Sequence, residues 1–428
     1  MKGLRLKDVC TKIGSGATPR GGKDVYLETG EIALIRSQNV YNDHFERNGI
    51  VYIEKKHADQ LKNVQVEKND ILLNITGDSV ARACQVPDAV LPARVNQHVA
   101  IIRPDPDRLD PKFLRFFLIS PEMQSHMLSL AAAGATRNAL TKGMIEGFRV
   151  PDFSIEEQRE IGLILGELEN KIELNRRMNE TLEAMARAIF KDWFVDFGPT
   201  RAKAEGREPY LSPELWNLFP DALDDEDKPV GWKQGTLADI ADSPRCGVSP
   251  SNVSEDTPYI GLEHMPRRSI ALTEWEGAGK VTSNKSVFKK GEFLFGKLRP
   301  YFHKVGIAPL DGICSTDIVV VIPRGPEWAA FTLACLSSDE FVEYTDQTST
   351  GTKMPRTSWR TMGQYKICLP SERGARAFQS LIQPLLNRID ANIHEARTLA
   401  QTRDLLLPKL MSGEIRLKDA EKSVEAVA

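Results

Sequence analysis

Polar side chains of the kinds that bind nucleic acid occur in two sets, one in each half of the chain. Arg, Asn, Gln and Lys read base edges in the major groove and hold phosphates. The predicted DNA-binding residues of the first half are Arg36, Gln38, Asn39, Arg82, Arg94, Asn96, Gln97, His98, Arg137 and Asn138. Those of the second half are Arg245, Lys297, Arg299, Tyr301, His303, Lys304, Lys353 and Arg356. A solvated loop can have the same composition, but the recurrence of both sets at strand ends and glycine loops favours a nucleic-acid surface.

Residue patterns that mark catalytic or metal sites are missing from the sequence. The seven histidines show no metal-ligand spacing, and the six cysteines form no CxxC pair. The tetrapeptide Asn-Pro-Pro-Tyr or Asp-Pro-Pro-Tyr, the mark of amino-methyltransferases of adenine and cytosine, does not occur. The sequence therefore predicts a binding protein with no catalytic residue, no metal and no cofactor of its own, rather than a single-chain methyltransferase.

The composition is that of an ordinary globular protein, with 41% hydrophobic and 27% charged residues. The net charge of −3 argues against a uniformly basic DNA coat, but it leaves room for a local basic cleft. No stretch approaches the roughly 20 apolar residues of a membrane span. The N-terminal residues lack the apolar core of a signal peptide, so a cytoplasmic protein is expected.

The two halves of the chain are copies of one unit. Residues 66–74 match residues 288–296, since each pairs a charged turn with a short apolar strand. Residues 95–104 match residues 314–323, as a polar triplet leading into an apolar strand that ends at proline. Further matches in the same order are 111–118 with 326–333, 134–141 with 351–358, and 150–151 with 369–370.

Each copy ends in a long helix with a heptad seam, and the two seams are related by an offset of 217 residues. The predicted helix-pairing residues are Ile161, Leu165, Leu168, Ile172, Asn175, Leu182 and Ile189 in the first helix, and Phe378, Ile382, Leu385, Ile389, Asn392, Leu399 and Leu406 in the second. Asn175 and Asn392 share one seam position, where a polar residue fixes register. The seams predict that the helices pair with each other, antiparallel; the alternative is two amphipathic helices packed separately on globular cores.

The predicted fold class is α+β, with two mostly-β domains in pseudo-twofold tandem, separated by two long antiparallel helices that form an intramolecular coiled coil. The predicted segments are a first domain at 1–153, a central helix at 154–197, a linker rich in proline and acidic residues at 198–231, a second domain at 232–371, a C-terminal helix at 372–413 and a tail at 414–428.

The most specific strings lie at the ends of the long helices. They are residues 188–199 (AIFKDWFVDFGP), 403–415 (RDLLLPKLMSGEI) and Ile155-Glu-Glu-Gln158 after Val150-Pro151. In these strings, and in family order over nearly its whole length, the chain resembles the specificity subunits of type I restriction-modification systems. One departure is visible: the second copy has Pro370-Ser-Glu-Arg-Gly-Ala375 where the family has a Glu-Gln pair, which puts in doubt whether both helix entries dock their partners equally.

The resemblance implies two target-recognition domains, each reading one half of an asymmetric, bipartite double-stranded DNA site. It implies that the helices set the length of the unread spacer and dock two modification (methyltransferase) subunits, which methylate adenine. Restriction (motor-nuclease) subunits would join for cleavage. S-adenosylmethionine, ATP and Mg are then expected on the partner subunits. A different class stays open: a non-catalytic assembly scaffold whose β domains bind protein.

Overall fold

The computed structural model describes residues 3–42, 44–133, 138–244, 246–425 and 427. It divides into two compact units, and each contains one β-rich domain with part of both long helices. Unit 1 comprises Met1–Lys171 with Leu399–Ala428, and unit 2 comprises Ile172–Thr398. Across the part of the chain that is described, no helix combines the length and the apolarity needed to cross a membrane.

The first domain is built from short strands that coincide with the apolar runs of the sequence. Its strands are β1 (Gly3–Arg5), β2 (Cys10–Ser15), β3 (Ile32–Ile35), β4 (Val51–Ile53), β5 (Gln65–Val66), β6 (Ile71–Asn74), β7 (Ala83–Gln85), β8 (Ala93–Val95), β9 (Val99–Pro104) and β10 (Arg149–Pro151). They form sheets in the orders β2-β9-β6-β7 and β4-β3-β8-β5, with β1 paired to β10. Strand β6 is buried along its whole length, which explains the apolar run Ile71–Leu73.

The second domain repeats this arrangement. Its strands are β11 (Lys233–Thr236), β12 (Ala241–Asp242), β13 (Gly247–Val248), β14 (Pro258–Ile260), β15 (Glu276–Gly277), β16 (Lys285–Phe288), β17 (Phe293–Gly296), β18 (Val305–Ile307), β19 (Gly312–Cys314), β20 (Ile318–Pro323) and β21 (Lys366–Leu369). The sheets have the orders β12-β20-β17-β18 and β15-β14-β19-β16-β13, with β11 paired to β21.

Strand order and direction agree between the two domains. In each, one sheet contains a parallel pair, β3 with β8 in the first domain and β14 with β19 in the second, while the strands beside them run antiparallel. The other sheet has the same antiparallel order of four strands in both copies. The second domain adds one edge strand, β13, to the shared plan. The duplication inferred from weak sequence matches is therefore a duplication of topology.

Helices cover the sheets and extend beyond them. They are α1 (Leu6–Val9), α2 (Lys55–Gln60), α3 (Pro111–Ile119), α4 (Pro121–Ala132), α5 (Lys142–Glu146), α6 (Ile155–Phe190), α7 (Gly198–Ala204), α8 (Pro213–Trp216), α9 (Leu237–Ile240), α10 (Ala329–Leu336), α11 (Asp339–Gln347), α12 (Trp359–Met362), α13 (Glu372–Ser412) and α14 (Leu417–Glu425). A single π-helical turn, Lys191–Val195, follows α6, and Phe197 then takes a left-handed conformation with φ of 55°. The predicted fold class, α+β with two long helices, is confirmed.

The long helices α6 and α13 pair antiparallel. In unit 2, Asn175 Nδ2 donates to Glu395 Oε2 at 2.9 Å and Asn392 Nδ2 donates to Asn179 Oδ1 at 2.8 Å, so rising numbers on α6 meet falling numbers on α13. The three asparagines are at most 4% exposed. A buried polar layer of this kind fixes register at some cost in stability. The predicted seam residues are buried (Ile161, Leu165, Leu168, Phe378, Ile382, Ile389, Leu399, Leu406) or half-buried (Ile172, Leu182, Ile189, Leu385).

At the start of each long helix, a glutamine side chain accepts a hydrogen bond from a backbone amide of another helix, but the glutamine is at a different position in the two copies. At the start of α6, Gln158 is 1% exposed and its Oε1 accepts from Asp110 N, at the N-cap of α3, at 3.0 Å. At the start of α13, the matched position holds the buried Ala375, and Gln379, one turn later, accepts from Ala330 N of α10 at 2.6 Å. The departure from the family pattern in the second copy is therefore compensated inside the domain.

Candidate nucleic-acid interface

Three loops meet at one end of the first domain, each beginning or ending at a strand of the β2-β9-β6-β7 sheet or at a helix. They are residues 75–82 after β6, residues 96–98 before β9, and residues 138–141 before α5. Backbone hydrogen bonds join them: Ile75 N to His98 O at 2.9 Å, Gly77 N to Asn138 O at 3.3 Å, and Leu140 N to Ile75 O at 2.8 Å. The loop ends are thus held by main-chain bonds, which leaves the side chains free to differ.

The second domain builds the same three-loop cluster with the same main-chain bonds. Lys297 N donates to Asp317 O at 2.9 Å, Arg299 N to Pro355 O at 2.8 Å, and Thr357 N to Lys297 O at 3.0 Å. The sequence matches place Asp317 opposite His98, and Arg356 opposite Ala139. A common frame therefore presents different side chains in the two domains.

In the first domain, a chain of polar side chains crosses this cluster. Thr18 donates to Gln97 Oε1, Gln97 Nε2 lies 3.0 Å from His98 Nε2, and His98 Nδ1 lies 2.6 Å from Thr76 Oγ1. Because the amide nitrogen of Gln97 can only donate, Nε2 of a neutral His98 ring accepts from it, and Nδ1–H then donates a hydrogen bond to Thr76 Oγ1. Gln97 is exposed and His98 half-buried, so a ligand at this surface meets an ordered row of donors and acceptors.

Cations and aromatic rings flank the same end of the first domain. The Arg82 guanidinium lies 4.6 Å from the ring centroid of Tyr41, which stacks on His44 at 4.7 Å. Arg36 lies 5.6 Å from the ring of Tyr26 and donates to Gly49 O, to which Gln38 Nε2 also donates at 3.3 Å. Stacked guanidiniums keep their planar donor face in a fixed orientation, which suits phosphate or base recognition.

The second domain carries a denser cluster of cations. The Arg267 guanidinium lies 4.1 Å from the ring of Phe302, and that of Arg299 lies 6.0 Å from the same ring. Lys304 Nζ donates to Leu262 O, and burial followed by the charge of Arg267 lowers the pKa of Lys304. Tyr301 is 49% exposed at the tip of the loop. Lys353 is exposed and Lys297 half-buried beside it.

Arg356 is held by a carboxylate at the centre of this second cluster. Its Nε donates to Asp317 Oδ1 at 3.2 Å, and its side chain is 47% exposed against 29% for Asp317. Asp317 N in turn donates to Ser315 Oγ at 3.2 Å. The pair sits where β20 begins, at the position that His98 occupies in the first domain.

Four of the predicted DNA-binding residues are buried and bonded inside their own domain. Arg94 is 6% exposed and donates to Ala58 O at 3.2 Å and Ala93 O at 2.9 Å, and burial lowers its pKa. Asn39 Nδ2 donates to Glu46 O at 2.9 Å, Asn96 Oδ1 accepts from His98 N at 3.1 Å, and the ring of His303 is hydrogen-bonded to Ser337 O at 3.0 Å. These side chains shape the loops from within. The predicted residues Arg137 and Arg245 lie outside the described part of the chain.

His303 and its loop are anchored to α6 by a buried network. His303 is 2% exposed, has a left-handed backbone with φ of 52°, and shares a hydrogen bond with Ser337 O at 3.0 Å. Its carbonyl accepts from Arg268 N at 2.8 Å, and the carbonyl of Arg268 accepts from Arg187 Nη2 of α6 at 3.1 Å. Burial lowers the pKa of His303. The imidazole is therefore neutral near pH 7 and acts as a structural anchor.

Glu183 completes this anchor from the helix side. It is 4% exposed, its Oε1 accepts from Ser269 Oγ at 2.8 Å, and its Oε2 accepts from Ile270 N at 3.1 Å and from Arg187 at 3.2 Å. Burial raises the pKa of this carboxyl, against the opposing effect of the bonds from Ser269 and Ile270. The segment that carries Arg267 and Arg268 is therefore tied to α6 by a carboxylate that the sequence did not single out.

One group of side chains has the composition of a metal site. The ligand atoms of Glu263, His264 and Glu276 lie within 4.8 Å of one another. However, His264 Nδ1 accepts from Gly261 N at 3.0 Å, so in the neutral ring the proton sits on Nε2 and neither nitrogen has a lone pair to give. The arrangement therefore favours a polar surface cluster over a metal centre.

Several residues of the two clusters were missed by sequence reasoning. Thr18 and Thr76 are single hydroxyls with no pattern of their own, and Tyr41 and Phe302 matter through the cations stacked on them. Asp317 carried a usable signal, because the repeat alignment places it opposite His98. A carboxylate at the position that matches a predicted DNA-binding residue in the other copy indicates a side chain that pairs with a nearby cation.

A β-rich domain made twice, two paired helices and two loop clusters of cations and amides define a modular nucleic-acid-binding class of protein. Comparison with known proteins agrees. Residues 1–184 match the family model described as the type I restriction modification DNA specificity domain. The chain is 25% identical to the type I restriction enzyme HindI specificity subunit of Haemophilus influenzae, over 90% of this chain and 94% of that protein. It is 26% identical to the MjaIX specificity subunit of Methanocaldococcus jannaschii, over 97% and 93%.

The fold is also that of a solved relative. The crystal structure of the type I restriction-modification S subunit from M. genitalium superposes with a TM-score of 0.55 at 15% identity, covering 95% of both chains. The resemblance predicted from the helix-end motifs is confirmed: over nearly its whole length the chain is similar to the specificity subunits of type I restriction-modification systems.

Proposed function

We propose that this chain is the specificity subunit of a type I restriction-modification system and that it reads an asymmetric, bipartite site in double-stranded DNA, with one half-site for each domain. The observation that carries the proposal is the shared loop frame: identical main-chain bonds hold Lys297 and Ile75 in the two domains, while the side chains around them differ. A common frame gives both domains one way of approaching the duplex. Different side chains then select different base edges.

Phosphate contacts orient the domains and base contacts select the sequence. In the first domain, Gln97 and His98 offer amide and imidazole groups in a fixed row, and Arg82 supplies a stacked cation. In the second domain the cations dominate, with Arg299 and Arg356 near the loop tips. The half-sites therefore differ in the kinds of base they present, and the target is not a palindrome.

The paired helices dock two methyltransferase subunits and set the length of the unread spacer. Large apolar side chains on α6 face solvent: Leu163 is 53% exposed in unit 1, and Leu174 and Met185 are 52% and 48% exposed in unit 2. They recur every eleven residues, close to three helical turns, so they belong to one stripe of the helix rather than to its seam with α13. Exposed apolar side chains on one stripe favour packing against helices of a partner.

Catalysis belongs to the partners in this proposal. The methyltransferase subunits bind S-adenosylmethionine and methylate adenine at N6, and motor-nuclease subunits with ATP and Mg join for restriction. This chain holds the DNA and contributes no catalytic residue, metal or cofactor. Its place in the complex is to choose the site.

The test is co-expression of the chain with the methyltransferase subunit of its own system, in a host that lacks adenine methylation. Sequencing the host DNA for N6-methyladenine should yield one split motif: two short, unlike half-sites around a gap of fixed length. Methylation at a single undivided motif would contradict the two-domain reading. An assembled complex with an intact methyltransferase and no methylation would favour an assembly scaffold.

A further inference from the structure

We propose that Arg356 reads a guanine in the half-site of the second domain, and that Asp317 is the residue that positions it. The proposal rests on the proposed function and adds a named base and a named contact. It starts from a difference at two matched positions of the shared loop frame: the first domain has Ala139 and His98 where the second has Arg356 and Asp317.

Both backbones of the pair are held in place. Arg356 N and O exchange hydrogen bonds with Thr350 O and N, each at 3.0 Å, and a bridge joins Arg356 to Leu298. The main chain of Asp317 accepts from Lys297 N at 2.9 Å. The backbone positions of Arg356 and Asp317 are therefore fixed by three loops that bond to one another.

The carboxylate also orients the guanidinium. Asp317 Oδ1 takes the Nε hydrogen of Arg356 at 3.2 Å. A guanidinium bonded through Nε has its two Nη groups directed to the far side, where they form a planar fork of donors. Within the residues that the structure describes, no protein acceptor engages these Nη groups by hydrogen bond. Guanine offers O6 and N7 as two acceptors at the spacing of such a fork, and a bidentate contact of this kind identifies guanine among the bases.

The neighbouring arginine is less suited to this role. Arg299 has a left-handed backbone with φ of 51°, its Nη2 donates to Lys353 O at 3.4 Å, and its Nε is buried without a partner among the described atoms. Its donors face the loop that carries Lys353. Arg356, by contrast, combines a bond to a carboxylate with a side chain that is 47% exposed.

The experiment measures binding of the complex with its methyltransferase subunits to duplexes that carry the methylated motif. Each guanine of both half-sites is replaced in turn by 7-deazaguanine, which keeps base pairing and removes only the N7 acceptor. One replacement should weaken binding by the wild-type complex about tenfold. The Arg356→Ala complex should bind the guanine duplex and that 7-deazaguanine duplex with equal affinity. Asp317→Asn should reduce the difference in affinity between the two duplexes, because the carboxylate no longer holds Arg356 Nε.

The matched control is Arg324→Ala. Arg324 lies 3.8 Å from Asp242 and follows the other end of the same strand, β20, so it is a second surface Arg–Asp pair of the same domain. It should keep the full tenfold effect. Suppose that the methylated motif is split but the Arg356→Ala complex still binds the 7-deazaguanine duplex more weakly than the guanine duplex, or loses the same affinity for every duplex. That result would refute the guanine contact and leave the proposed function intact. Absence of any split motif would refute the proposed function itself.

Discussion

Replacement of Glu183 tests whether the second loop cluster depends on its anchor to α6. In the wild-type chain the carboxylate accepts from Ser269 Oγ, Ile270 N and Arg187, all at 3.2 Å or less. Glu183→Ala removes all three acceptor contacts and leaves the amide of Ile270 buried, since Ile270 is 5% exposed. Glu183→Gln keeps one acceptor oxygen at the same place.

The expected magnitudes follow from these contacts. A buried donor without a partner costs about 1–3 kcal/mol, and each bond to a charged group contributes about 1.5–3 kcal/mol. Removal of the charge also relieves the desolvation that raises the pKa of this carboxyl, which offsets part of the loss. We expect Glu183→Ala to lower the free energy of unfolding of unit 2 by about 2–4 kcal/mol, and Glu183→Gln by about 1 kcal/mol.

Tryptophan fluorescence during urea unfolding measures this effect in unit 2 alone, because every tryptophan of the chain lies between residues 172 and 398: Trp193, Trp216, Trp232, Trp275, Trp328 and Trp359. The matched control is Glu180→Ala on the same helix, whose ion pair with Arg176 is 56% exposed on both sides and should contribute less than about 1 kcal/mol. Equal losses for Glu183→Ala and Glu180→Ala, or for the Ala and Gln variants of Glu183, would refute the anchor.

Three further predictions follow from the same structure. Insertion of one heptad into each long helix keeps the seam in phase and lengthens the helix pair by about 10 Å. The methylated motif should then gain about three base pairs of spacer, at about 3.4 Å each, while both half-sites stay the same. An unchanged spacer would contradict the proposed role of the helices. Burial lowers the pKa of His303 in the folded chain, so folding favours the neutral imidazole. The stability that the neutral form supports is full above the pKa of the unfolded chain, about 6.5, and is lost as the pH falls below it. The urea midpoint of unit 2 should therefore decrease below pH 6.5 more steeply in the wild-type chain than in His303→Asn. Asp70 is fully buried and accepts two hydrogen bonds from Arg103, at 2.7 and 2.8 Å. Asp70→Ala should cost unit 1 about 1.5–3 kcal/mol, measured by hydrogen exchange of the β6 and β9 amides, because it removes these charged bonds while Arg103 keeps its ion pair with Glu67 at 2.6 Å.

Much of the fold could be predicted because the relevant signals are periodic and local. Apolar runs at residues 32–35 and 71–75 are read directly as buried strands, and they became β3 and β6. The heptad positions on the long helices, including Asn175 and Asn392, follow from spacing alone and are all buried or half-buried. The repeat alignment also predicted which loop residues correspond between the domains. The aligned pairs Ile75 with Lys297 and Leu140 with Thr357 make the same backbone bonds.

For the candidate site, the sequence predicted only the types of residue involved, and it did not predict which of them lie together at the surface. Arg94 and Arg356 have the same residue type and both belong to the predicted polar sets, yet Arg94 is 6% exposed and the side chain of Arg356 is 47% exposed. No local rule separates them, because burial depends on which strands and helices lie above a residue. The same holds for His303, whose pKa is lowered by burial among residues of other segments, such as Ser337 and Arg268.

The amino-acid sequence by itself determined that the chain is duplicated, where several strands and both long helices lie, and which family it resembles, since these depend on the order and spacing of neighbouring residues. The tertiary structure alone decided which polar side chains meet. Asp317 and Arg356 are 39 residues apart in sequence and are joined at 3.2 Å only because two strands and two loops converge. Hydrogen bonds and desolvation act over a few ångströms of space, and folding sets those distances independently of separation along the chain.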